Sequence, residues 1–245
     1  MYRFVVAGYY RWLELSAAQY LMIASKPDTF IAPPCVDEIS LLFQDEHLLL
    51  INKPGGLLSL SGKNPLNKDS VHFRLVQDFP SATLVHRLDF GTSGIMLVAL
   101  NKTVNAHLGK QFQQGTIAKT YTALLHGHVE QDNGTIALPI AKDPPNFPLQ
   151  KICFDSGKNA LTHYTVIERN TAPATTRAIF TPISGRTHQL RIHSRELGHS
   201  ILGCDLYASD EVFQMAPRLM LHATTIEFDH PVTGERIYGR SDCPF

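Results

Sequence analysis

The sequence has no excess of charge of either sign, with 22 Lys and Arg residues against 22 Asp and Glu residues among 245. The overall charge balance therefore does not indicate a nucleic-acid partner, and any such surface has to come from local clustering. Cysteine is also scarce: the four residues are widely spaced, and no C-x-x-C pair occurs. Because this spacing is not a disulfide framework, we predict reduced cysteines and a cytoplasmic protein.

No apolar run is both long and uninterrupted enough to span a membrane. The most apolar stretch is at the N-terminus, where Arg11, Glu14 and Gln19 interrupt it. It does not fit a signal peptide either, because its apolar part is broken at Arg11. We expect no membrane partner, and we interpret residues 1–35 as a leader that is an apolar helix or disordered. The domain is predicted to cover 36–245, after a proline-rich stretch.

Strands are predicted in both halves of the chain, where short runs are rich in β-branched, aromatic and other apolar residues and end at Gly, Pro or Asn. The first two runs lead into a sharp bend at Pro54-Gly55-Gly56. The predicted strands are SLLFQ, LLLINK, GIMLVAL, KTYTALLHG, NALTHYTVIE, TRAIFTPI and LMLHATTIEF.

Three helices are predicted between these strands. The first is capped by Asp69 or Ser70 and carries an apolar stripe at four-residue spacing before Pro80. The second covers NKTVNAHLGKQFQQG, with Gly115 as a left-handed C-terminal cap. The third is RTHQLRIHSREL, which ends at Gly198. Interspersed helices predict an α+β fold around a mixed, largely antiparallel sheet with flanking helices and loops.

The segment VHRLDFGTSGIMLVAL places His86, Arg87 and Asp89 on a loop that leads into a buried strand. Ionisable groups beside a rigid core strand favour a functional site. The alternative is a surface loop in which Asp89 caps a turn and pairs with Arg87. A kinase catalytic loop is excluded, because the order is His-Arg-Leu-Asp and no Gly-rich phosphate loop accompanies it.

A metal site is a poor interpretation of the histidines in RTHQLRIHSREL. His188 and His193 are five residues apart, whereas zinc metalloproteases use a pair four apart, and the sequence offers no clear third ligand. We expect instead an RNA-facing or ion-paired surface on this helix, with Leu190 and Ile192 partly buried. No metal is predicted.

Three motifs together resemble one enzyme family. HRLDFGTSG is similar to the H-R-L-D-x-x-T-S-G motif of the RluA family of pseudouridine synthases. KTYTAL resembles the family's K-x-Y-x-A segment, and ISGRTHQLRIH resembles its T-G-R-x-H-Q-L/I-R-x-H segment, in the same order. The likeness covers roughly Glu38 to the C-terminus. It implies the pseudouridine synthase catalytic fold and an enzyme that isomerises uridine in structured RNA, without a cofactor or metal.

Within the family, the resemblance is strongest to the dual-specificity member that acts on 23S rRNA and on a tRNA anticodon stem-loop. The stretch PNFPLQKICFDSGKNALTHY and the ending MAPRLMLHA carry this likeness. The leader lacks the R-L-D pattern of an S4 RNA-binding domain, which points the same way. The expected partner is therefore rRNA, tRNA or both, and the protein is expected to be a monomer.

The resemblance implies three catalytic residues. Asp89 is the expected catalytic aspartate, and Arg191 the cation that pairs with it and keeps it ionised. Tyr121 is expected to stack on the extracted uracil and to help remove a proton. The alternative for Tyr121 is a strand residue packed in the core.

The resemblance also implies a set of RNA contacts. Arg87 is expected to intrude into the RNA stack when the target uridine is flipped out, and its alternative role is a salt bridge on the loop rim. SGKNPLNKDS resembles the family's flexible RNA-gripping loop. Phe90 and Gly91 stand at variable positions after Asp89, where we expect altered packing and a looser loop. The expected RNA-binding residues are His86, Arg87, Lys63, Lys68, Lys119, Arg186 and His188.

Two other functions compete with this interpretation. One is a catalytically weak RNA-binding or RNA-folding protein on the same scaffold, because a fold does not guarantee an activity. The other is a glycosidase, which would need a second acidic residue paired with Asp89. Retention of Asp89, Tyr121 and Arg191 argues against the first, and no motif supplies the second carboxylate.

Overall fold

The structure is a computed structural model that describes residues 30–245. Most of the predicted leader, residues 1–29, therefore lies outside the described residues. Its last part, 30–35, forms neither helix nor strand. Asn67 holds this part through its side chain, which donates to the carbonyl of Phe30 at 2.7 Å and accepts from the backbone N–H of Ala32 at 2.8 Å.

The described chain forms twelve strands, four α-helices and two short 3-10 helices. The strands are β1 (Ser40–Gln44), β2 (Leu48–Lys53), β3 (Thr83–Leu84), β4 (Ser93–Ala99), β5 (Ala118–His126), β6 (Asn133–Ala137), β7 (Ile140–Lys142), β8 (Gln150–Ile152), β9 (Leu161–Thr171), β10 (Ala174–Pro182), β11 (Leu221–Asp229) and β12 (Arg236–Arg240). The helices are α1 (Val71–Asp78), α2 (Lys102–Gln114), α3 (Gln189–Glu196) and α4 (Asp210–Gln214), and the 3-10 helices are Pro65–Asn67 and Pro144–Asn146.

Ten strands form one sheet, in the order β1-β2-β4-β11-β5-β10-β9-β6, with β3 paired to β4 and β12 paired to β11. Strands β4 and β11 run parallel, and the other pairs are antiparallel. Strands β7 and β8 form a separate hairpin. The predicted α+β fold with a mixed, largely antiparallel sheet is therefore confirmed.

Two helices have the predicted ends. The Ser70 hydroxyl accepts from the backbone N–H of Phe73 at 3.1 Å, so Ser70 rather than Asp69 caps α1. Helix α2 ends at Gly115, whose φ of 71° is the left-handed conformation expected of a glycine cap.

Strand β4 begins where the chain approaches β11 very closely. Gly94 has φ of 117°, and a Cβ atom placed there would lie 2.2 Å from the carbonyl oxygen of Ala223. Only glycine fits this contact without moving a backbone. The small residues after Asp89 therefore let the sheet close beside the loop that carries it.

The core consists of two hydrophobic clusters. The first is formed by β2, β4, α1 and α2 around residues such as Ile51 and Leu97, and the second by β5, β10 and α3 around Leu125 and Phe180. Tyr121 on β5 packs against both clusters. This position places it where the two halves of the domain meet.

The structure corrects the third predicted helix. Helix α3 begins at Gln189 instead of Arg186, because His188 has φ of 57° and so cannot continue a right-handed turn. The histidines and arginines of this helix were predicted to lie on its surface, which is wrong for Arg191 and His193, because both are buried. Leu190 and Ile192 are buried as well. His193 bonds to the Thr162 hydroxyl at 2.9 Å and the Leu138 carbonyl at 3.1 Å. None of the helices formed by residues 30–245 is long and apolar enough to cross a membrane.

Candidate active site

A cavity of about 340 Å³ opens between the loop before β4 and the N-terminal end of α3, with β5 and β10 at its base. Eight of the ten predicted site residues line it, and the exposed Lys63 and Lys68 do not. Arg and Lys outnumber acidic residues in the lining by four to one, so the balanced chain does concentrate positive charge locally. The eight residues are His86, Arg87, Asp89, Lys119, Tyr121, Arg186, His188 and Arg191.

Asp89 is held through its backbone. The Ser59 hydroxyl donates to the carbonyl of Leu88 at 2.7 Å and accepts from its N–H at 3.2 Å. The N–H of Gly56 donates to the carbonyl of Phe90 at 2.9 Å, and the N–H of Thr92 to that of Asp89 at 3.1 Å. The Asp89 carboxylate itself makes no hydrogen bond or ion pair with a described residue. The loop therefore fixes the position of the acid and leaves both oxygens available.

Lys53 also holds the backbone of this loop. We call its contacts, together with those of Ser59 and Gly56, the backbone clamp. Its side chain is fully buried, and Nζ donates to the carbonyls of Pro54 at 2.8 Å, Phe90 at 3.2 Å and Thr92 at 2.7 Å. Burial, followed by the charge of Arg218, lowers the pKa of Lys53 to about 7. Only the ammonium form of Lys53 can donate to all three carbonyls, because a neutral amine has two N–H groups.

The two residues after Asp89 pack against different parts of the protein. The ring of Phe90 meets the ring of Phe30 edge-on, with centroids 5.4 Å apart. Gly91 lies against Leu219, and a Cβ atom at this glycine would be 3.0 Å from that side chain. The predicted change in packing at Phe90 is thus a contact with the last part of the leader, and the predicted looseness at Gly91 stays a prediction.

Tyr121 faces the cavity from β5. Burial and the charge of Asp89 raise the pKa of its phenol well above the ordinary range. Its hydroxyl forms no hydrogen bond with any residue of the described chain. The alternative role of a simple core residue therefore does not describe its whole environment, because the ring packs in the core while the residue lines the cavity.

Arg191 is held through its head group. Nε and Nη2 each lie 3.3 Å from the Cys204 sulfur, and Nη2 forms an ion pair with Asp205. Burial disfavours the cation, but Cys204, Asp205 and Asp89 outweigh it and raise the pKa of Arg191. Among the ion pairs of residues 30–245, none joins Arg191 directly to Asp89. The two groups interact here through their charges, and the predicted direct pairing stays a proposal.

His86 lines the cavity and accepts a hydrogen bond from the protein backbone. Its Nε2 accepts a hydrogen bond from the backbone N–H of Leu97 at 3.0 Å, and its ring lies 5.0 Å from that of Phe112. Burial, followed by the charge of Lys119, lowers the pKa of His86 to about 3. A neutral ring that accepts from strand β4 supports the loop, and the predicted RNA contact of His86 stays a prediction.

The remaining cations differ in how firmly they are held. Arg87 is exposed and makes no hydrogen bond or ion pair with the part of the chain that is described, so the alternative of a rim salt bridge is not observed. Arg186 donates to the carbonyl of Asn159 at 3.0 Å. Lys119 lies 5.4 Å from the centroid of Phe112, and burial lowers its pKa. Lys68 lies 4.8 Å from the centroid of Phe73, outside the cavity.

Three supporting residues were not singled out from the sequence: Lys53, Asp205 and Tyr207. Lys53 stands at the end of an apolar strand directly before Pro54-Gly55-Gly56, which is an unusual place for a lysine and was the available signal. Asp205 and Tyr207 lie in the segment ILGCDLY, which resembles the family sequence but does not by itself indicate a role for either residue. No group of three or more metal-ligating side chains comes together among residues 30–245.

The family model described as RNA pseudouridylate synthase matches residues 47–196. This range contains the Asp89 loop, Tyr121 and helix α3. It therefore covers all three catalytic residues predicted from the sequence.

Individual relatives give the same family. A Yersinia pestis protein named dual-specificity RNA pseudouridine synthase RluA is 46% identical over 205 residues, which are 84% of this chain and 99% of that protein. The protein of the same name from Escherichia coli K12 is 44% identical over 213 residues, with coverage of 87% and 97%. The solved structure of human RNA pseudouridylate synthase domain containing 1 superposes with a TM-score of 0.72 at 28% identity, over 87% of this chain and 86% of that one.

Proposed function

Because the chain belongs to the RNA pseudouridylate synthase family, we propose that it isomerises uridine to pseudouridine in structured RNA, in both a 23S rRNA hairpin and a tRNA anticodon stem-loop. One observation carries the proposal: the Asp89 carboxylate is unpaired, sits on a clamped loop and opens into a cavity lined by four cationic side chains. The names of the relatives support the dual substrate.

Asp89 is the proposed nucleophile. The carboxylate either attacks the uracil ring or assists loss of a proton at the sugar, and the bond between nitrogen and sugar breaks. Uracil then rotates and rejoins through carbon. No atom is gained or lost and no redox change occurs, so we propose that the reaction needs neither a cofactor nor a metal.

Arg191 is proposed to attract and orient the Asp89 carboxylate through its positive charge. Its anchoring by Cys204 and Asp205 keeps the guanidinium in place during the reaction. Tyr121 is proposed to stack on uracil and to help remove the proton from the carbon that becomes bonded. The charge of Asp89 helps to raise the pKa of Tyr121, so covalent bonding of Asp89 would remove that charge and make the phenol more acidic.

The RNA is proposed to lie across the cationic rim. Flipping the uridine out of its stack costs roughly a few kcal/mol. Arg87 is exposed and unpaired with any described side chain, which suits intrusion into the vacated stack. Lys119 and Arg186 are proposed to contact phosphate or ribose near the cavity, and Lys63 and Lys68 to contact RNA farther from it.

The observed lining weighs against both competing functions. Asp89 is the only carboxylate among the described residues that line the cavity, whereas glycosidases use a pair. A protein that only binds RNA would not need a buried lysine and arginine to organise an acid that points at the ligand.

The remaining predictions stay proposals: a cytoplasmic monomer with a catalytic domain over 36–245 and no S4 domain in 1–35. The domain boundary is supported by β1 beginning at Ser40 and by the pairing of β1 with β2.

The test uses purified full-length protein and two hairpins, one from 23S rRNA and one from a tRNA anticodon arm, with EDTA present. We expect wild type to form pseudouridine in both, and Asp89→Asn to lose about a thousandfold or more of the rate while RNA affinity is retained. RNA binding without isomerisation by wild type would favour the RNA-binding alternative. Activity in one hairpin alone would keep the chemistry and reject dual specificity.

A further inference from the structure

His188 has an unusual backbone conformation. Its φ of 57° and ψ of 18° place it in the left-handed region, and it is the one non-glycine residue with positive φ among residues 30–245. Such a conformation is unfavourable for a side chain with a Cβ atom and persists where surrounding contacts enforce it. It directs the imidazole into the cavity at the N-terminal end of α3.

A hydrogen bond joins His188 to Tyr207, and its direction depends on which nitrogen of His188 carries the proton. The Tyr207 oxygen lies 2.7 Å from His188 Nδ1 and accepts from the backbone N–H of Gln150 at 2.9 Å. No other acceptor in the described chain is bonded to the tyrosine hydroxyl, so the hydroxyl proton is available to Nδ1. A neutral imidazole that accepts at Nδ1 carries its hydrogen on Nε2.

Tyr207 is itself held firmly. It is 5% exposed, and the guanidinium carbons of Arg191 and Arg195 lie 5.4 and 5.5 Å from its ring centroid. The ring of His188 meets it edge-on at 5.5 Å. Burial lowers the pKa of His188, with Arg191 acting in the same direction and the charges of Asp89 and Asp205 opposing it, which supports a neutral ring. The imidazole is thus held in orientation, and a Tyr207 hydroxyl that donates to Nδ1 leaves the hydrogen on Nε2.

We propose that His188 donates this Nε2–H to a carbonyl oxygen of the target uracil and that Tyr207 is the positioning residue that fixes the donor. The inference rests on the proposed function. Whether Asp89 attacks the base or assists loss of the sugar proton, the uracil ring gains negative charge. Departure from the sugar leaves the bonding electron pair on uracil, and attack on the ring moves electrons to its carbonyl oxygen. A fixed donor stabilises that charge without giving up its proton.

Kinetics of single and double variants test the proposal. We expect His188→Ala to lower kcat about a hundredfold and Tyr207→Phe about tenfold, with KM for a stem-loop changed less than about threefold. The double variant should be no slower than His188→Ala, because Tyr207 acts through His188. His188→Gln, which keeps an N–H donor, should recover part of the loss. Tyr164→Phe is the matched control, since Tyr164 is 4% exposed on β9 and lies outside the cavity lining.

A measurement that does not depend on activity separates this inference from the proposed function. Nitrogen-15 NMR of the histidine side chains should show the Nε2–H tautomer for His188 in wild type and its loss in Tyr207→Phe. The Nδ1–H tautomer in wild type, or additive losses of kcat in the double variant, would overturn the inference even if the enzyme is active. A correct tautomer in a wild type that does not isomerise uridine would instead refute the proposed function.

Discussion

The two walls of the cavity are built in different ways. The Asp89 wall, residues 86–92, is fixed by hydrogen bonds to its backbone from Lys53, Ser59 and Gly56. The Arg191 wall, residues 184–191 with 204–207, is fixed by contacts between side-chain head groups. In the Asp89 wall, the carboxylate oxygens stay free to form a bond. In the Arg191 wall, the guanidinium of Arg191 and the imidazole of His188 are held in place. This difference matches the roles proposed for the two walls, with Asp89 as the reacting group and Arg191 and His188 as the stabilising groups.

The backbone clamp gives the largest predicted effect. Lys53→Met removes the donor to three buried carbonyls, so we expect the free energy of unfolding to fall by about 3 kcal/mol, together with a large loss of kcat. Denaturant unfolding measures the first quantity and the hairpin assay the second. Lys102→Met, which changes an exposed lysine at the start of α2, should alter stability by less than about 0.5 kcal/mol. Equal effects of the two changes would mean that Lys53 does not clamp the loop.

Protonation of His86 at acid pH should lower the free energy of unfolding. The folded protein holds the pKa of His86 at about 3, below the ordinary value of 6.5, so the unfolded chain binds an extra proton as the pH falls between these values. Stability should therefore fall through this window, by up to about 1.4 kcal/mol for each pH unit from this residue. His86→Gln keeps an acceptor for Leu97 and cannot titrate, so its unfolding free energy should fall less steeply from pH 7 to pH 4. Parallel slopes would contradict the assignment.

Arg87, on the rim of the Asp89 wall, should affect the rate of isomerisation only when the target uridine has to be unstacked. Arg87→Ala is expected to slow isomerisation in a stem-loop about tenfold and to spare an already unstacked uridine, because the guanidinium replaces lost stacking. Arg240→Ala removes an exposed arginine on β12 that does not line the cavity, and serves as the control. Equal losses on both RNAs would reject the intrusion role.

Strain in the Arg191 wall gives the smallest predicted effect. Glycine adopts the left-handed conformation of His188 freely, so His188→Gly should be more stable than His188→Ala by about 1 kcal/mol. The same comparison at Lys110, within α2, should have the opposite sign, because glycine weakens a helix interior relative to alanine. Thermal unfolding of the four variants measures both differences. Matching signs would show that the backbone at His188 is not strained.

Much of the fold was predictable because its elements have strong local patterns. Strand β4 is buried throughout and apolar after its first residue, and the cap at Gly115 depends on a single residue. Strands β3, β6, β7, β8 and β12 were missed, since they are two to five residues long and at most one residue of each is buried, so their pattern is weak.

The three catalytic candidates were predictable from motifs, but their partners were not. Asp205 and Tyr207 hold Arg191 and His188 from 14 and 19 residues away, through contacts that exist only after α3 has packed. The backbone contact of His86 and the burial of Arg191 were not predictable, because a sequence does not state whether a polar group is paired inside the fold.

The position of β11 in the sheet has a consequence for the newly made protein. This strand lies between β4 and β5, and its residue His222 pairs with Ser93 across a separation of 129 residues. Translation delivers both walls of the cavity well before the strand that joins them, and sheet pairing over so long a separation forms late. A nascent chain, or a product truncated before residue 221, should therefore be unable to modify any RNA near it, including that of the ribosome still synthesising it.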